Sequence, residues 1–226
     1  MKLYKHGKTK DVYALDDGNF LLKFKDTVTG SADGKQDPGG NMVVGEVKGV
    51  GRNAILTTVY FFELLKRNKI ATHYVGSNPD KNEVTVRPAK MFGEGLEFVY
   101  RFTAAGGFVK RFGMYCKDGD PINVFEVTLK DDGRDDPPAT KEILSALKLL
   151  TEEQYESIKA QTKRICDVIK ADLAKKGLEL IDIKLEFGNV DGKVMLVDEI
   201  SGGNMRVFKD GKKLDYNTLS ELILKN

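Results

Sequence analysis

The chain has 226 residues, enough for one sizeable domain or two intimate lobes, and its 41% apolar and 31% charged side chains are those of an ordinary globular protein. Thirty-six basic against 34 acidic side chains leave a formal charge of +2, short of the basic surplus that marks a general nucleic-acid binder. No run approaches the ~18 apolar residues of a membrane span, the opening MKLYKHGKTK lacks the apolar core of a signal peptide, and Cys116 and Cys166 have no metal-ligand spacing, so the expectation is a cytoplasmic protein with free thiols.

In chain order, the segment 11–24 predicts two strands, Asp11–Leu15 and Asn19–Phe24, joined by the turn Asp16-Asp17-Gly18. Residues 27–53 are glycine-rich and lack periodicity, which predicts a long functional loop. Helical spacing returns at Ile55, Val59, Phe62 and Leu65, with Asn53 as candidate cap. THYVGS, EVTVRPAKMF and LEFVYRF read as three strands, AAGGFVKRFG as a second glycine-containing segment, and INVFEVTLK as a further strand. After the charged turn DDGRDDPP come two helices, the second opening on Thr151 with Gln154 three residues on and ending at Gly177. Its stripe of Tyr155, Ile158, Ile165, Val168, Ile169 and Leu173 faces a core. LELIDIKLEFG and KVMLVDEIS form a hairpin through the turn NVDG, and TLSELILKN a closing helix. This is an α+β pattern: an antiparallel N-terminal lobe, residues 1–92 with one helix, and a mixed C-terminal α/β lobe, residues 93–226.

Three stretches carry candidate chemistry. HGKTKDVY sets Lys8 and Lys10 beside a glycine at a strand start, where two ammonium groups project to one side and suit a polyphosphate; a solvated N-terminus is the alternative. In the late hairpin, alternation puts Asp182, Lys184 and Glu186 on one face of the first strand, and Leu196 with Asp198 on one face of the second. If Lys184, Glu186 and Asp198 converge, an ammonium sits beside two hard oxygen ligands, as a magnesium-bound phosphate requires; otherwise this is an exposed charged sheet face. Arg101, the small residues through Gly107, and then Lys110 and Arg111 form either an anion grip or a cation-flanked turn. His6 and His73 show neither metal spacing nor a nucleophile partner and read as local polar residues.

The ordered set GKTKDVY, FKDTVTG, ATHYVG, RFTAAGG, LKDDGRDDP, DIKLEFG and VDEIS…R, about residues 3 to 208, resembles the SAICAR synthetase family. The resemblance implies a two-lobed α+β fold with an N-terminal sheet similar to a kinase small lobe, and ATP with Mg2+ in the cleft between the lobes. The implied reaction joins L-aspartate to carboxyaminoimidazole ribonucleotide through an acyl phosphate, in a homo-oligomer that acts on small molecules and on neither nucleic acid nor membrane. By the same resemblance Lys8 and Lys10 bind phosphates, the segment at Lys90, Met91 and Phe92 lies by adenine, and Glu186 and Asp198 hold metal and nucleotide. Lys184 is a cleft lysine, Arg101, Gly107 and Arg206 belong to the ribotide phosphate site, and Lys130 and Asp136 lie in a turn that closes on the reacting end.

The departures fall mainly on the substrate side. Where the family reads Ser-Pro-Asp after the Asp-Glu pair, this chain has Ser201-Gly202-Gly203, which removes a carboxylate unless Asn204 takes over. AAGS becomes AAGG, MFGEGLEF carries two extra residues, the glycine-rich loop 30–53 is longer, and the C-terminal part is shorter. Two alternatives therefore stay open: a ligase using ATP on a different carboxylate or amine, and a catalytically silent nucleotide-binding protein.

Overall fold

The computed structural model describes residues 1–31, 33–38 and 40–225. Strands β1 (Lys2–Lys5), β2 (Lys10–Ala14) and β3 (Phe20–Phe24) open the chain, and the Asp-Gly turn closes the β2–β3 hairpin where the sequence predicts it. β1 is an addition to the predicted elements; all four of its residues are exposed, which hides the period-2 signal.

The glycine-rich segment is not a structureless loop. It holds a two-stranded ribbon of β4 (Thr27–Gly30) and β5 (Met42–Glu46); Ala32 and Gly39 lie outside the described residues. Helix α1 (Val50–Arg67) begins before Asn53, and its cap comes from elsewhere. The Asp26 carboxylate accepts the N–H groups of Gly49 and Gly51, both at 3.0 Å, and so satisfies donors that have no partner within the helix. Gly51 is needed for this approach, since a Cβ there would lie 2.7 Å from the Lys25 carbonyl oxygen. Strands β6 (Tyr74–Asn78) and β7 (Glu83–Val86) complete an antiparallel sheet ordered β1-β2-β3-β7-β6.

The predicted strand EVTVRPAKMF breaks at Pro88, and its second part, β8 (Lys90–Met91), joins the other sheet. That sheet contains β9 (Leu96–Thr103), β10 (Pro121–Leu129), β11 (Glu179–Val190), β12 (Lys193–Val197), β13 (Met205–Lys209) and β14 (Lys212–Lys213). β11 is its axis, paired antiparallel with β8, β9, β12 and β13. The β11–β12 turn places Asp191 (φ 50°) and Gly192 (φ 81°) both in the left-handed region, as the Asp-Gly hairpin signal demands. The segment after Gly106 is a short helix, α2 (Gly107–Phe112), rather than a turn.

Helix α3 (Lys141–Ala146) precedes α4 (Glu152–Lys175), which carries the predicted capping box: Thr151 Oγ1 accepts from the Gln154 N–H at 3.1 Å and Gln154 Oε1 from the Thr151 N–H at 2.9 Å. Ile158, Ile165, Ile169 and Leu173 of α4 are buried in one core with Phe61 and Phe62 of α1 and Phe98 and Phe187 of the second sheet. The last two rings meet edge to face at 5.3 Å. Helix α5 (Tyr216–Leu224), capped by Asp215, packs against α1. Among the described residues no helix is long and apolar enough to cross a membrane.

Cys166 is fully buried on α4, and burial pushes its thiol pKa well up, whereas Cys116 is only half-buried after α2. Alkylation of the native protein by iodoacetamide should therefore modify Cys116 alone, with Cys166 reacting only after denaturation. Mass spectrometry reads this directly, and native labelling of Cys166 would contradict the packing.

Candidate active site

The turn before β2 is built to hold two lysines. Only glycine fits at Gly7, where a Cβ would lie 2.4 Å from the Lys10 carbonyl oxygen. Lys25 ties the turn down, donating to the Gly7 carbonyl at 2.9 Å and pairing with Asp11 at 2.6 Å. Lys8 and Lys10 thereby line a cavity of about 1140 Å³ between the two sheets. Its lining combines the apolar Val12, Leu22, Val86, Met91 and Val197 with the charged Lys130, Lys184, Glu186 and Asp198. Apolar side chains together with a few convergent charged groups make a lining that suits a nucleotide.

The charged end follows from strand register. Asp182, Lys184 and Glu186 share one face of β11, as alternation predicts. Glu97 of β9 stands directly opposite Glu186, so two carboxylates face each other across neighbouring strands. Such a pair is repulsive unless each finds a cation. Lys184 takes Glu97 at 2.7 Å, and Lys130, arriving from the end of β10, takes Glu186 at 2.6 Å. Convergence of Lys184 with Glu186 and Asp198 thus needs correction: Lys184 lines the same cavity, but the cations on those carboxylates are Lys130 and Lys10. The register between β9 and β11 decides this, and no local pattern reveals it.

Asp198 reaches the cavity by a backbone device. Val197 stands opposite Glu186 and Leu196 opposite Phe187, which is core. Continued alternation would send Asp198 to the core side with Leu196. Instead β12 ends at Val197 and Asp198 adopts φ 65°, a left-handed conformation costing roughly 1 kcal/mol in a non-glycine residue. Lys10 Nζ then meets Asp198 Oδ1 at 2.7 Å and Glu199 Oε2 at 2.8 Å.

Electrostatics matches this geometry. Burial alone would lower the pKa of Lys10, but the charges of Asp198 and Glu199 outweigh it and raise it; for Lys130 those of Glu186 and Asp198 do the same. Burial and the nearby Asp198 charge push the Glu186 carboxyl up, whereas for Asp198 the two lysines overcome burial and hold it down. Among the described residues no group of three or more His, Cys, Asp or Glu side chains forms a cage for an ion. Two hard oxygen donors beside a cavity nonetheless fit magnesium, which takes few protein carboxylates and fills its shell with phosphate oxygens and water.

The substrate-side residues form a second cluster on the same face of β11. Arg101 of β9 and Arg206 of β13 stand opposite Asp182, and both guanidinium groups donate to its Oδ2, at 2.7 and 2.5 Å. Glu126 accepts twice from Arg101 and is also paired with Arg111, while Asp37 accepts from Arg206 Nε and Nη2 at 3.0 and 2.7 Å. Gly106 gives Arg206 room, since a Cβ there would lie 2.4 Å from Nη2. Arg101, Gly107, Asp136 and Arg206 do not line the large cavity. Asp136 is buried, accepting from Asn41 Nδ2 at 2.6 Å and from the Asp131 N–H at 2.8 Å, and it ties the acidic turn to the glycine-rich segment. Lys8 makes a similar tie at the cavity mouth, to Asp132.

Asn204 is not a replacement for the missing carboxylate. Its Nδ2 donates to the Glu199 carbonyl at 2.6 Å and its Oδ1 accepts from the Ser201 N–H at 2.8 Å, so both ends hold the loop. Gly202 admits Tyr216, whose Cα would lie 3.0 Å from a Cβ at that position. Sequence reasoning passed over Glu97, Glu126 and Asp37, which have no motif around them, and read His73 as a local polar residue although it stands in the quoted motif ATHYVG.

The family signature described as SAICAR synthetase matches residues 3–220. A phosphoribosylaminoimidazole-succinocarboxamide synthase of Clostridium tetani is 51% identical over 227 residues, covering 99% of this chain and 100% of its own. A solved structure described as SAICAR synthetase (type 2) in complex with ADP superposes with a TM-score of 0.83 at 29% identity, covering 95% of this chain and 88% of its own. The SAICAR synthetase of Pyrococcus horikoshii superposes at 0.79 with 28% identity, covering 96% and 91%.

Removing the shared acceptor of the buried arginines should be costly to the fold. Asp182→Ala leaves two guanidinium groups short of a counter-charge, and chemical denaturation should show a loss of about 3 kcal/mol or more. A loss below about 1 kcal/mol would mean that the network is not a support of the sheet.

Proposed function

This chain belongs to the SAICAR synthetase family, and from that premise we propose which of its residues carry each part of the reaction. The protein is an ATP-dependent carbon–nitrogen ligase of purine biosynthesis that joins L-aspartate to carboxyaminoimidazole ribonucleotide. A carboxylate oxygen of the ribotide attacks the γ-phosphorus, ADP departs, and an acyl phosphate remains. The aspartate amine then attacks the acyl carbon, loses a proton, and expels phosphate. Activation by phosphate supplies the leaving group that a free carboxylate lacks.

The observation that carries the assignment is the cavity-lining cluster of Lys10, Lys130, Glu186 and Asp198. Glu186 and Asp198 would hold Mg2+, which when bound neutralises charge on the phosphate oxygens. Lys10 and Lys130 are already charged and aimed into the cavity, and they pass from these carboxylates to the β- and γ-phosphates as nucleotide enters. Lys8 joins them as a phosphate-binding lysine, and the segment Lys90–Met91 takes the adenine against the apolar side chains of the cavity. Lys184, held by Glu97, faces the reacting carboxylate between the two clusters.

Arg101, Gly107 and Arg206 form the ribotide phosphate end. Asp182 and Glu186 are four residues apart on one strand, roughly 14 Å at ~3.4 Å per residue, a span that lets a ribotide lie along the strand with its phosphate away from ATP. Asp136 keeps the 130–137 turn over the reacting end without entering it. Residues 1–92 and 93–226 act as two lobes about this cleft in a cytoplasmic homo-oligomer, as the family resemblance supports.

Purified protein given ATP, Mg2+, aspartate and the carboxylated ribotide should sustain turnover, read as continuous ADP release, only when all four are present. Release that persists without aspartate or the ribotide would contradict the ligase reading. Asp198→Asn should reduce turnover on the order of a hundredfold or more with little loss of stability, because a neutral amide is a poor ligand for a hard cation. Equal losses in melting temperature and activity would remove that role.

A further inference from the structure

The left-handed turn at Asp198 needs something to hold it, because the strand that precedes it would otherwise deliver the carboxylate to the core side. Four side-chain contacts hold the stretch that follows β12. Thr58 Oγ1 binds both the N–H and the carbonyl of Ile200, at 3.3 and 3.2 Å, and Asn204 Nδ2 donates to the Glu199 carbonyl at 2.6 Å. The Asp198 carbonyl is held by His73, whose Nε2 lies 3.2 Å from it. A carbonyl oxygen only accepts, so the imidazole proton sits on Nε2 and the ring acts as a donor.

The placing of His73 suits this task. It is 4% exposed and lies in the connection between α1 and β6, where its own N–H donates to the Leu196 carbonyl at 3.2 Å. The Arg87 N–H in turn donates to the His73 carbonyl at 2.8 Å. The ring stands edge-on to Phe62 at 6.2 Å, which fixes its plane. Burial holds its pKa down to about 4, so it is a neutral donor in ordinary buffers. One residue thus binds the end of β12 twice, through its main chain at Leu196 and through its ring at Asp198. Both bonds come from a part of the chain that belongs with the first sheet.

We propose that His73 is a positioning residue: its Nε2–H bond locks the Asp198 main chain in the left-handed conformation that turns the carboxylate away from the core and into the cleft beside Lys10. The ring touches neither nucleotide nor ribotide in this role; it acts through Asp198. The proposal rests on the reading of Asp198 as a metal ligand. It goes beyond that reading by naming what aims the ligand and by predicting that the donor atom, rather than the bulk of the side chain, is what matters.

The test uses three variants of the full chain: His73→Leu, which keeps bulk and removes the donor, His73→Gln, which returns an N–H at similar reach, and Asp198→Asn as reference. Three readings are taken on each: Mn2+ binding by calorimetry in the presence of ADP, ADP binding without metal, and thermal melting. His73→Leu should weaken Mn2+ binding about tenfold or more while ADP binding without metal stays at the wild-type value, the size of loss expected when the partner orienting a ligand is removed. His73→Gln should recover most of that loss. Wild-type metal affinity in His73→Leu, or a Gln variant as weak as the Leu variant, would overturn the proposal. If His73→Leu melts too low to assay, His73→Phe takes its place under the same criteria. If Asp198→Asn weakens metal binding and the His73 variants do not, this proposal alone fails; if Asp198→Asn leaves metal binding unchanged, the underlying site assignment fails first.

Discussion

The structure depends on neutralising a row of charge along one face of a central strand. β11 presents Asp182, Lys184 and Glu186 on a single face, and its neighbour β9 sets Arg101 opposite Asp182 and Glu97 opposite Glu186. A half-buried face of this kind is stable only if every charge has a partner, since an isolated buried ion costs several kcal/mol. The partners on this face are Glu97 and Arg101 of β9, Lys130 from the end of β10 and Arg206 from β13, with Asp37 of the glycine-rich segment pairing Arg206 in turn. The tie to the first sheet is made beside that face, where Lys10 of β2 pairs with Asp198 and Glu199. The same paired, pre-placed charges underlie the proposal that the cavity receives a metal-bound triphosphate.

Under the proposed assignment the order of groups along that face follows the order of groups in the reaction. Glu186 and Asp198 line the cavity with its apolar side chains, and the position of Asp182 carries two arginines. Lys184 stands between them, held by Glu97. A ligase that phosphorylates a ribotide carboxylate needs phosphoryl chemistry and ribotide anchoring at a fixed separation, and a rigid strand supplies that spacing better than loops do. The substrate end is where this chain departs from its family. Gly202 makes room for Tyr216, Asn204 is spent on its own loop, and the fork of Arg206 is filled by Asp37. On the proposed assignment a ribotide phosphate would displace Asp37 from Arg206, just as nucleotide would displace Asp198 from Lys10 and Glu186 from Lys130.

Local signals in the sequence were sufficient where a neighbour a few residues away decides the structure. The Asp-Gly hairpins, the Thr151–Gln154 box and the alternation along β11 all belong to this class. Signals failed where a distant partner decides. The start of α1 depends on Asp26 across a loop, the partner of Lys184 depends on the β9–β11 register, and β5 depends on β4 through an intervening glycine-rich stretch. The residues proposed for the nucleotide side come from the motif order of a family, and the structure gathers Lys8, Lys10, Lys90, Met91, Glu186 and Asp198 along one cavity. Asp198 stands in a quoted motif, but its geometry is not legible there: strict alternation from Val197 would put it on the core side of the sheet, away from Glu186, and the positive φ turns it to the cavity. His73 reads only as a local polar residue for the same reason, since its contact with the Asp198 carbonyl and a strained main-chain angle leave no mark in composition or spacing.

The central claim is that the carboxylates of Glu186 and Asp198 receive the metal of a metal–nucleotide complex while Lys10 and Lys130 move onto its phosphates. Crystals grown with ADP and Mn2+ test it most directly, through the anomalous signal of the manganese. The account predicts an anomalous peak within coordinating distance of both carboxylates, with the two lysines turned to phosphate oxygens. A peak bound elsewhere, with Lys10 still paired to Asp198 and Lys130 to Glu186 beside a bound nucleotide, would contradict it.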